Sequence, residues 1–311
     1  MLMSVQQPRD VPAISVGMPV HNGERYLASA IESVLAQTDP DFELIISDNA
    51  STDASGEIAR SYAARDARIT YLHQARNLGA AANYNLLFHA ARAPLFRWFN
   101  ADDLSEPSLH AHCRAALTEC PQAVLAWGRT RLIDATGDVV GDYDDRLDLR
   151  AEQPGDRFVC FFEAVGLTNV IYGLMRRDAL ARTSLMGDGS LPAGDTRMMA
   201  ELVLHGWFVG LPEVLFYRRM HPGASSARRE DNAAQAEFWG GGDRFRLPIW
   251  RSHIGYLRYA LGADLAVREK WRVCRYVLRR MRWERRKLAK ELLQHCRRRH
   301  RGTESVASRN S

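Results

Sequence analysis

The chain has 311 residues and 46% of them are hydrophobic, which is enough to build one large α/β domain or two modest ones. The five cysteines are scattered and form no CxxC pair, which argues against a disulfide framework or a zinc site and favours a reducing compartment. No stretch resembles the apolar core of a signal peptide or a membrane span of about 18 residues, so we expect a cytoplasmic protein that does not cross a membrane.

The net charge of +5 conceals an uneven distribution along the chain. Residues 266–301 contain fifteen Lys or Arg and three Glu, a net charge of +12, so the rest of the chain carries −7. An acidic body with a basic tail predicts two regions with different roles.

The first half of the sequence alternates between strand and helix patterns. Short apolar runs predict strands and 3.6-residue repeats predict helices in the order strand 14–20, helix 26–37, strand 42–49, helix 56–65, strand 69–74, helix 81–92 and strand 94–100. Alternation with short connections predicts βαβ crossovers and an α/β fold with a mostly parallel sheet flanked by helices.

The second half continues with strands predicted at 124–134, 169–177 and 207–218 and a helix that begins at Gly194 and Asp195. A further helix is expected after 94–100, with Ser105 as its N-cap.

Polar side chains follow each of the first four predicted strands. They are Pro19, His21, Asn22 and Glu24 after the first, Asp48 and Asn49 after the second, Arg76 and Asn77 after the third, and Asn100, Asp102 and Asp103 after the fourth. Each set alone is typical of a turn, but ligands of such sheets bind outside the carboxyl ends of the strands. Four sets along one edge therefore predict a binding site.

Three segments carry a resemblance to a known family: MPVHNGERYLASAIESVLAQTDPDFELIISDNASTD, RNLGAAANYN and NADD. They resemble the GT-A fold glycosyltransferases of family 2, inverting enzymes that use nucleotide-diphosphate sugars, and the resemblance covers residues 14 to about 226. The sequence departs from the family pattern at His21, where Tyr or Phe is usual, and at Asn100, which replaces the first Asp of the metal-binding Asp-x-Asp motif.

The resemblance implies an inverting, hexosyltransferase-type enzyme. It would move a sugar from a nucleotide-diphosphate donor, with a UDP-sugar favoured, to a glycan or lipid-linked acceptor in cell-surface polysaccharide synthesis. The residues implied for donor binding are Pro19, Asn22, Glu24, Asp48, Arg76, Asn77, Asn100, Asp103 and Arg218. Asp48 is expected to accept the ring N–H of uracil or of a pyrimidine with the same edge, whereas Arg76 is equally well interpreted as a solvated surface charge.

The adjacent carboxylates Asp102 and Asp103 repel each other unless a cation lies nearby. The resemblance implies that Asp102 binds Mg²⁺ or Mn²⁺, with His221 as a further metal or phosphate ligand, and such an ion stabilises the charge on a leaving diphosphate. As an alternative, Asp103 orients the loop or caps the next helix. The alternative for His221 is a purely structural role.

Asp195 is the residue that the resemblance implies as general base, which removes the proton of the acceptor hydroxyl. Its alternative role is that of N-cap of the helix that it opens.

The predicted organisation has an N-terminal arm at 1–13, a nucleotide-sugar-binding half at 14–135 and an acceptor and catalytic-base half at 136–226. A basic helical extension at 227–301 and a disordered tail at 302–311 follow. Within the extension, one predicted helical face carries Trp271, Cys274, Leu278, Met281, Leu288 and Leu292.

The basic extension has three possible roles. It binds an anionic membrane surface through residues 266–301, or it docks on the body or on a second copy, or, least favoured, it binds nucleic acid. The first would place the enzyme at the inner face of the cell membrane.

Two other functions compete with sugar transfer. A nucleotidyltransferase acting on a sugar phosphate would need a Gly-rich, basic loop after the first strand, and HNGERYL is not one. A non-catalytic, membrane-associated scaffold of the same fold is disfavoured by the presence of Asp48, Asp102 and Asp195 together.

Overall fold

The computed structural model describes residues 11–191, 193–224, 237–240 and 247–307, with side chains up to residue 296. The strands are β1 (Ile14–Val20), β2 (Phe42–Asp48), β3 (Ile69–His73), β4 (Leu95–Trp98), β5 (Leu104–Ser105), β6 (Ala123–Ile133), β7 (Val139–Tyr143), β8 (Leu174–Arg176) and β9 (Trp207–Arg219).

The helices flank this sheet or follow it. They are α1 (Glu24–Leu35), α2 (Ser55–Arg65), α3 (Ala80–Ala90), α4 (Leu109–Glu119), α5 (Pro154–Ala164), α6 (Arg177–Leu180), α7 (Gly194–Leu202), α8 (Pro248–Gly262), α9 (Val267–Trp283) and α10 (Arg285–Ala307), with a short 3₁₀ helix at Asn169–Tyr172.

The nine strands form one sheet in the order β3-β2-β1-β4-β8-β6-β9-β5, and β7 pairs with β6 outside this path. Strands β1 to β4 are parallel, which confirms the prediction for the first half. The second half is mixed: β6 and β9 are parallel, whereas β5, β7 and β8 pair antiparallel with their neighbours. A tight turn at 134–138 joins β6 to β7, and such a short connection allows only an antiparallel pair.

The central strand β1 is buried along almost its whole length, as a strand covered by helices on both sides must be. Gly17 lies at the closest approach of α3, because a Cβ there would come within 2.9 Å of Leu87 and 3.0 Å of Phe96. The absence of a side chain lets the helix pack directly against the strand whose end carries the first polar loop.

Two local predictions are wrong. Residues 169–172 form a 3₁₀ helix after Thr168, which has a left-handed backbone with a φ of 61°, so only Leu174–Arg176 of the predicted strand is extended. Ser105 lies in β5 and pairs with Phe216 of β9, so it cannot cap a helix, and α4 follows Ser108 instead.

One face of α9 packs against the body through Val273, Cys274 and Val277, all buried. The carboxylate of Glu269, also buried, accepts the backbone N–H of Gly155 at 2.9 Å and so satisfies a free donor at the start of α5. Docking on the body, one of the three interpretations of the tail, is therefore correct for this face.

The apolar face predicted for the tail is wrong in part. Cys274 and Leu288 are buried, but Trp271 and Leu278 are exposed on another side of α9. The helix α10 runs to Ala307, so the predicted disordered tail is helical from 302 to 307, and residues 308–311 lie outside the described ranges.

Within the described ranges, no helix combines the length and the apolar character needed to cross a bilayer. The predicted boundary between the two functional halves, at 135/136, falls in the turn between β6 and β7 inside the single sheet. The division into donor and acceptor halves stays a prediction about function.

Candidate functional site

A cavity of about 660 Å³ opens at the carboxyl ends of β1 and β4, where the order of the parallel strands reverses. Six of the predicted site residues line it: Pro19, Asn22, Asn77, Asn100, Asp102 and His221. The other predicted site residues lie outside the described lining: Glu24, Asp48, Arg76, Asp103, Asp195 and Arg218.

The loops after β1 and β2 are held together by side chains of the first loop. Asn22, whose φ of 53° is one that Asn tolerates, accepts the backbone N–H of Thr52 at 2.8 Å through Oδ1. Glu24 accepts the N–H of Ala54 at 2.9 Å. These two residues therefore fix the rim of the cavity, and Asn22 also lines it.

Asp48 ends β2 and is 1% exposed. Its Oδ1 accepts the backbone N–H of Ser51 and its Oδ2 accepts the hydroxyl of Tyr71, both at 2.8 Å, while Nδ1 of His73 lies 3.5 Å away. Burial alone would raise the pKa of Asp48, but these hydrogen bonds more than offset it and hold the pKa below its ordinary value. A fixed negative charge therefore stands at the end of β2.

The loop after β3 is tied to its neighbours by amides. Asn77 Oδ1 accepts from Asn49 Nδ2 at 2.9 Å and from the N–H of Gly79 at 2.8 Å, and Asn77 Nδ2 lies 3.3 Å from Nε2 of His21. His21, a departure from the family pattern, is thus part of the cavity wall. Arg76 is exposed on the same loop.

Asp102 and His221 meet on the cavity wall although 119 residues separate them in sequence. Oδ2 of Asp102 lies 3.0 Å from Nε2 of His221, and the two side chains remain 30% and 14% exposed. They are brought together because β5, which follows Asp103, pairs with β9, which precedes His221. Among the described residues, no three His, Cys, Asp or Glu side chains are grouped closely enough to bind a metal by themselves.

Asp103 points the other way, into the protein, and is 2% exposed. Its carboxyl group accepts the backbone N–H of Arg219 at 2.8 Å and Nδ2 of Asn100 at 3.2 Å. Burial, followed by the charge of Asp102, raises the pKa of Asp103 well above its ordinary value. Asp103 therefore orients the end of β9 from behind the wall, whereas its predicted helix-capping role is wrong, since α4 follows Ser108.

Asn100 links three groups beneath the wall. Its Oδ1 accepts the hydroxyl of Tyr84 at 2.6 Å, and its Nδ2 lies 2.6 Å from the hydroxyl of Tyr172, in addition to its bond with Asp103. The residue that replaces an aspartate of the family pattern therefore acts as an amide bridge within the protein.

The two arginines at the end of β9 are both buried and bind protein groups. Arg218 donates to the side chain of Asn169 and to the carbonyl of Leu167. Arg219 donates through Nε to the carbonyl of Asp102 at 2.9 Å and lies over the ring of Tyr26, with its Cζ 4.6 Å from the centroid.

Asp195 lies in the first turn of α7, and its Oδ1 accepts the N–H of Thr196 at 2.7 Å. The N-cap position belongs to Ala193, so the predicted N-cap role of Asp195 is wrong. The charge of Asp195 acts on Tyr84 and Tyr172, the two tyrosines bound to Asn100. Burial raises the pKa of both tyrosines, and the negative charges of Asp102, Asp103 and Asp195 raise it further.

Three tyrosines of the site were not predicted from the sequence. Tyr26, Tyr84 and Tyr172 surround the Asp102 turn, because the ring of Tyr26 lies 5.1 Å from that of His221 and the other two bind Asn100. Tyr84 lies in the segment RNLGAAANYN that carries the family resemblance, four residues after Ala80 at the start of α3, so its position near the site could have been inferred. Nothing in the sequence indicated that Tyr172 reaches the site.

The family model for Glycosyl transferase family 2 matches residues 15–164. Curated relatives include the uncharacterized glycosyltransferase EpsJ of Bacillus subtilis, 40% identical over 93 residues, which are 30% of this chain and 27% of that protein. Glycosyltransferase GlyG of Streptococcus pneumoniae is 34% identical over 96 residues, which are 31% of this chain and 32% of that protein. The matched segment thus spans about a third or less of either relative, and Asp195 and His221 lie beyond the family match.

Solved structures share the fold over most of the chain. TarS of S. aureus, residues 1–349 in complex with UDP, has a TM-score of 0.62 at 16% identity, covering 86% of this chain and 71% of that one. The mannosyltransferase PcManGT of Pyrobaculum calidifontis, in complex with GDP-Man and Mn²⁺, has a TM-score of 0.51 at 14% identity, covering 90% of both chains. The fold is therefore the GT-A fold, and residues 15–164 match the model of glycosyl transferase family 2.

Proposed function

We propose that this chain is an inverting, metal-dependent glycosyltransferase. It takes a nucleotide-diphosphate sugar, with a UDP-sugar favoured, and glycosylates a glycan or lipid-linked acceptor of a cell-surface polysaccharide. The observation that carries the proposal is the meeting of Asp102 and His221 on the wall of a cavity at the ends of β1 and β4, in a chain that matches the model of this family.

The Asp102 and His221 pair suits a Mn²⁺ or Mg²⁺ ion. The carboxylate of Asp102 and the imidazole of His221, 3.0 Å apart on the cavity wall, would both serve as ligands of the ion, with diphosphate oxygens of the donor as further ligands. A carboxylate and an imidazole together would favour Mn²⁺ over Mg²⁺. When bound, such an ion stabilises the negative charge of the diphosphate leaving group.

The roles of the other residues follow from their places. We assign to Asp103 the positioning of the metal-binding turn, since its buried carboxyl behind the wall accepts the N–H of Arg219, two residues before His221. Asn22, Asn77 and Pro19 form the rim against the nucleotide, with Glu24 bracing that rim. Arg76, exposed beside Asn77 and in no ion pair with the described side chains, suits the donor phosphates, whereas Arg218 supports the wall through Asn169.

Transfer itself requires an acceptor oxygen, a base and a leaving group in line. The acceptor hydroxyl oxygen attacks the anomeric carbon, its proton passes to the carboxylate of Asp195, and the bond between that carbon and the diphosphate oxygen breaks with its electron pair on the oxygen. Attack opposite the leaving group inverts the configuration at the anomeric carbon. Support for Asp195 comes from its charge acting on Tyr84 and Tyr172 beside the Asp102 turn.

Product analysis tests this proposal against its competitors. Incubation with a panel of nucleotide sugars and Mn²⁺ is expected to release a nucleoside diphosphate, by slow hydrolysis alone and faster with acceptor. A nucleotidyltransferase would instead consume a nucleoside triphosphate and a sugar phosphate and release pyrophosphate. A scaffold would release neither product.

Asp48 is the residue that we propose for recognition of the base, through the second lone pair of its Oδ1. Asp48→Asn is expected to weaken nucleoside diphosphate binding about 10- to 100-fold, because a hydrogen bond to a charged group contributes about 1.5–3 kcal/mol. Isothermal titration calorimetry with UDP, with Mn²⁺ and without metal, measures this effect.

The matched control for this variant is Asp53→Asn. Like Asp48, which accepts one backbone N–H and one hydroxyl, Asp53 is held by two donors, the backbone N–H groups of Glu24 and Ser55, in the same pair of loops. Equal losses in both variants would mean that Asp48 only organises the loop, and unchanged affinity in Asp48→Asn would remove its role in base recognition.

A further inference from the structure

The helix α9 has a second, exposed face, which contacts the body at one edge, where Arg268 donates to Oε1 of Gln153 at 3.3 Å. Its exposed residues are Val267, Arg268, Trp271, Arg275, Leu278, Arg279, Arg282 and Trp283, and we call this set the basic-aromatic face. Trp271, Arg275, Leu278 and Arg282 follow one another at intervals of four, three and four residues, so they form one line along the helix. Val273 and Val277, which pack on the body, lie on the other side.

Apolar groups on this face are exposed to an unusual degree for a helix that already has a buried side. Val267 is 71% exposed, Trp271 68%, Leu278 52% and Trp283 84%. Docking on the body is complete without these four side chains, since Val273, Cys274 and Val277 serve it. Several exposed apolar side chains on one face of a helix indicate an interaction surface.

The charges of the face all have one sign. Arg275, Arg279 and Arg282 have no carboxylate within ion-pair distance among the described side chains. The two glutamates nearest to them in sequence serve other partners: Glu269 binds the N–H of Gly155, and Glu284 lies 3.0 Å from His253. The guanidinium groups are therefore available to anions outside the protein.

We propose that the basic-aromatic face of α9 docks on the anionic surface of a lipid bilayer. Guanidinium groups pair with headgroup phosphates, while tryptophan and aliphatic side chains between them enter the boundary of the acyl region. The helix lies in the plane of the surface and does not span the bilayer.

The chemistry of the face distinguishes a bilayer from two other occupants. A nucleic acid would use the arginines and stack on the tryptophans, but Val267 and Leu278 would find no apolar partner in it. A second copy docked through the same face would bring the unpaired arginines of both copies together, which costs free energy. A bilayer satisfies both the cationic and the apolar groups.

Sedimentation of the full chain with lipid vesicles tests the proposal. Vesicles of phosphatidylcholine with phosphatidylglycerol are expected to bind the protein, and vesicles of phosphatidylcholine alone much less. The triple variant Arg275→Gln, Arg279→Gln and Arg282→Gln is expected to lower the partition coefficient on the order of 100-fold at low salt, given the contribution of each basic residue near an anionic surface. Trp271→Ser is expected to lower roughly tenfold the part that persists at high salt, which comes from apolar insertion.

The matched control removes the same charge elsewhere. Arg65, Arg146 and Arg182 are exposed, form no ion pair among the described side chains and lie outside α9. Their triple change to Gln is expected to leave vesicle binding within about twofold of the unmodified protein, since surface charge attraction falls off within a Debye length. Circular dichroism melting curves verify that every variant is folded.

Four results would overturn the proposal. They are equal binding to neutral and anionic vesicles, binding to neither, equal losses in the two triple variants, or unchanged binding in the α9 triple variant. Binding of homopolymeric RNA that the α9 variant loses, without vesicle binding, would assign the face to nucleic acid. A dimer in analytical ultracentrifugation that the α9 variant turns into a monomer, again without vesicle binding, would assign it to a second copy.

Discussion

Asp195→Asn is expected to lower the rate of sugar transfer about 10²- to 10⁴-fold, because a positioned general base contributes that much to a proton-transfer step. Donor affinity is expected to stay unchanged, because the base meets the acceptor hydroxyl and not the donor. Single-turnover transfer measured beside calorimetric donor binding separates the two quantities. The isosteric change keeps the acceptor of the Thr196 N–H, so the start of α7 is preserved.

Asp188→Asn provides the matched control for the base. Asp188 lies in the loop before α7 and accepts the N–H and the hydroxyl of Ser190, so the same change removes a carboxylate of similar local role. We expect near-normal transfer from this variant. Normal transfer by Asp195→Asn, or an equal loss in both variants, would contradict the assignment of Asp195 as base.

Asp102→Asn is expected to reduce transfer and donor hydrolysis about 10²- to 10³-fold, corresponding to about 3–4 kcal/mol of lost stabilisation of the leaving group. Mn²⁺ binding in the presence of UDP is expected to weaken in parallel. Titration of activity against Mn²⁺ concentration, with calorimetry of the metal, measures both effects. The amide can still bind His221, so the wall itself should persist.

The adjacent residue supplies the control for this variant. Because Asp103 faces the interior behind the wall, Asp103→Asn leaves the cavity surface unchanged, and its Oδ1 still accepts the N–H of Arg219. A flip of the Asn100 amide can restore the second hydrogen bond, so we expect a loss of tenfold or less, about 1 kcal/mol. Full activity of Asp102→Asn, or full activity of the unmodified enzyme in excess chelator, would contradict the assignment of Asp102 as a metal ligand.

The sequence predicted the parallel half of the sheet because its signals are local. The run ISVGMPV and the apolar positions of α1 determine their own secondary structure, and four polar loops at one edge follow from parallel pairing. The cavity lies at that edge, and six of the predicted residues line it.

The opposite orientations of Asp102 and Asp103 could not be predicted from sequence. They are neighbours in the chain, but the pairing of β5 with β9 turns one to the cavity and the other into the interior. That pairing joins strands more than a hundred residues apart, and no local pattern encodes it. Tyr172 was missed for a similar reason, because it precedes β8, which pairs with β4 about 80 residues earlier in the sequence.

The tail illustrates a different limit. A helical repeat identifies residues on one face, but a hydrophobic residue is not always buried, so Trp271 and Leu278 were grouped with the buried Cys274. Val273 and Val277, which form the actual contact with the body, were not included in the predicted face. Only packing against α5 and α8 distinguishes the two faces.

Calorimetric titration of the full chain with a panel of nucleotide sugars, in the presence of Mn²⁺, tests the central claim most directly. The account predicts saturable binding at one site by at least one UDP-sugar, weaker binding in chelator, and a loss of affinity in Asp48→Asn but not in Asp195→Asn. Absence of binding by every nucleotide sugar and nucleoside diphosphate at millimolar concentration, with either Mn²⁺ or Mg²⁺, would contradict it.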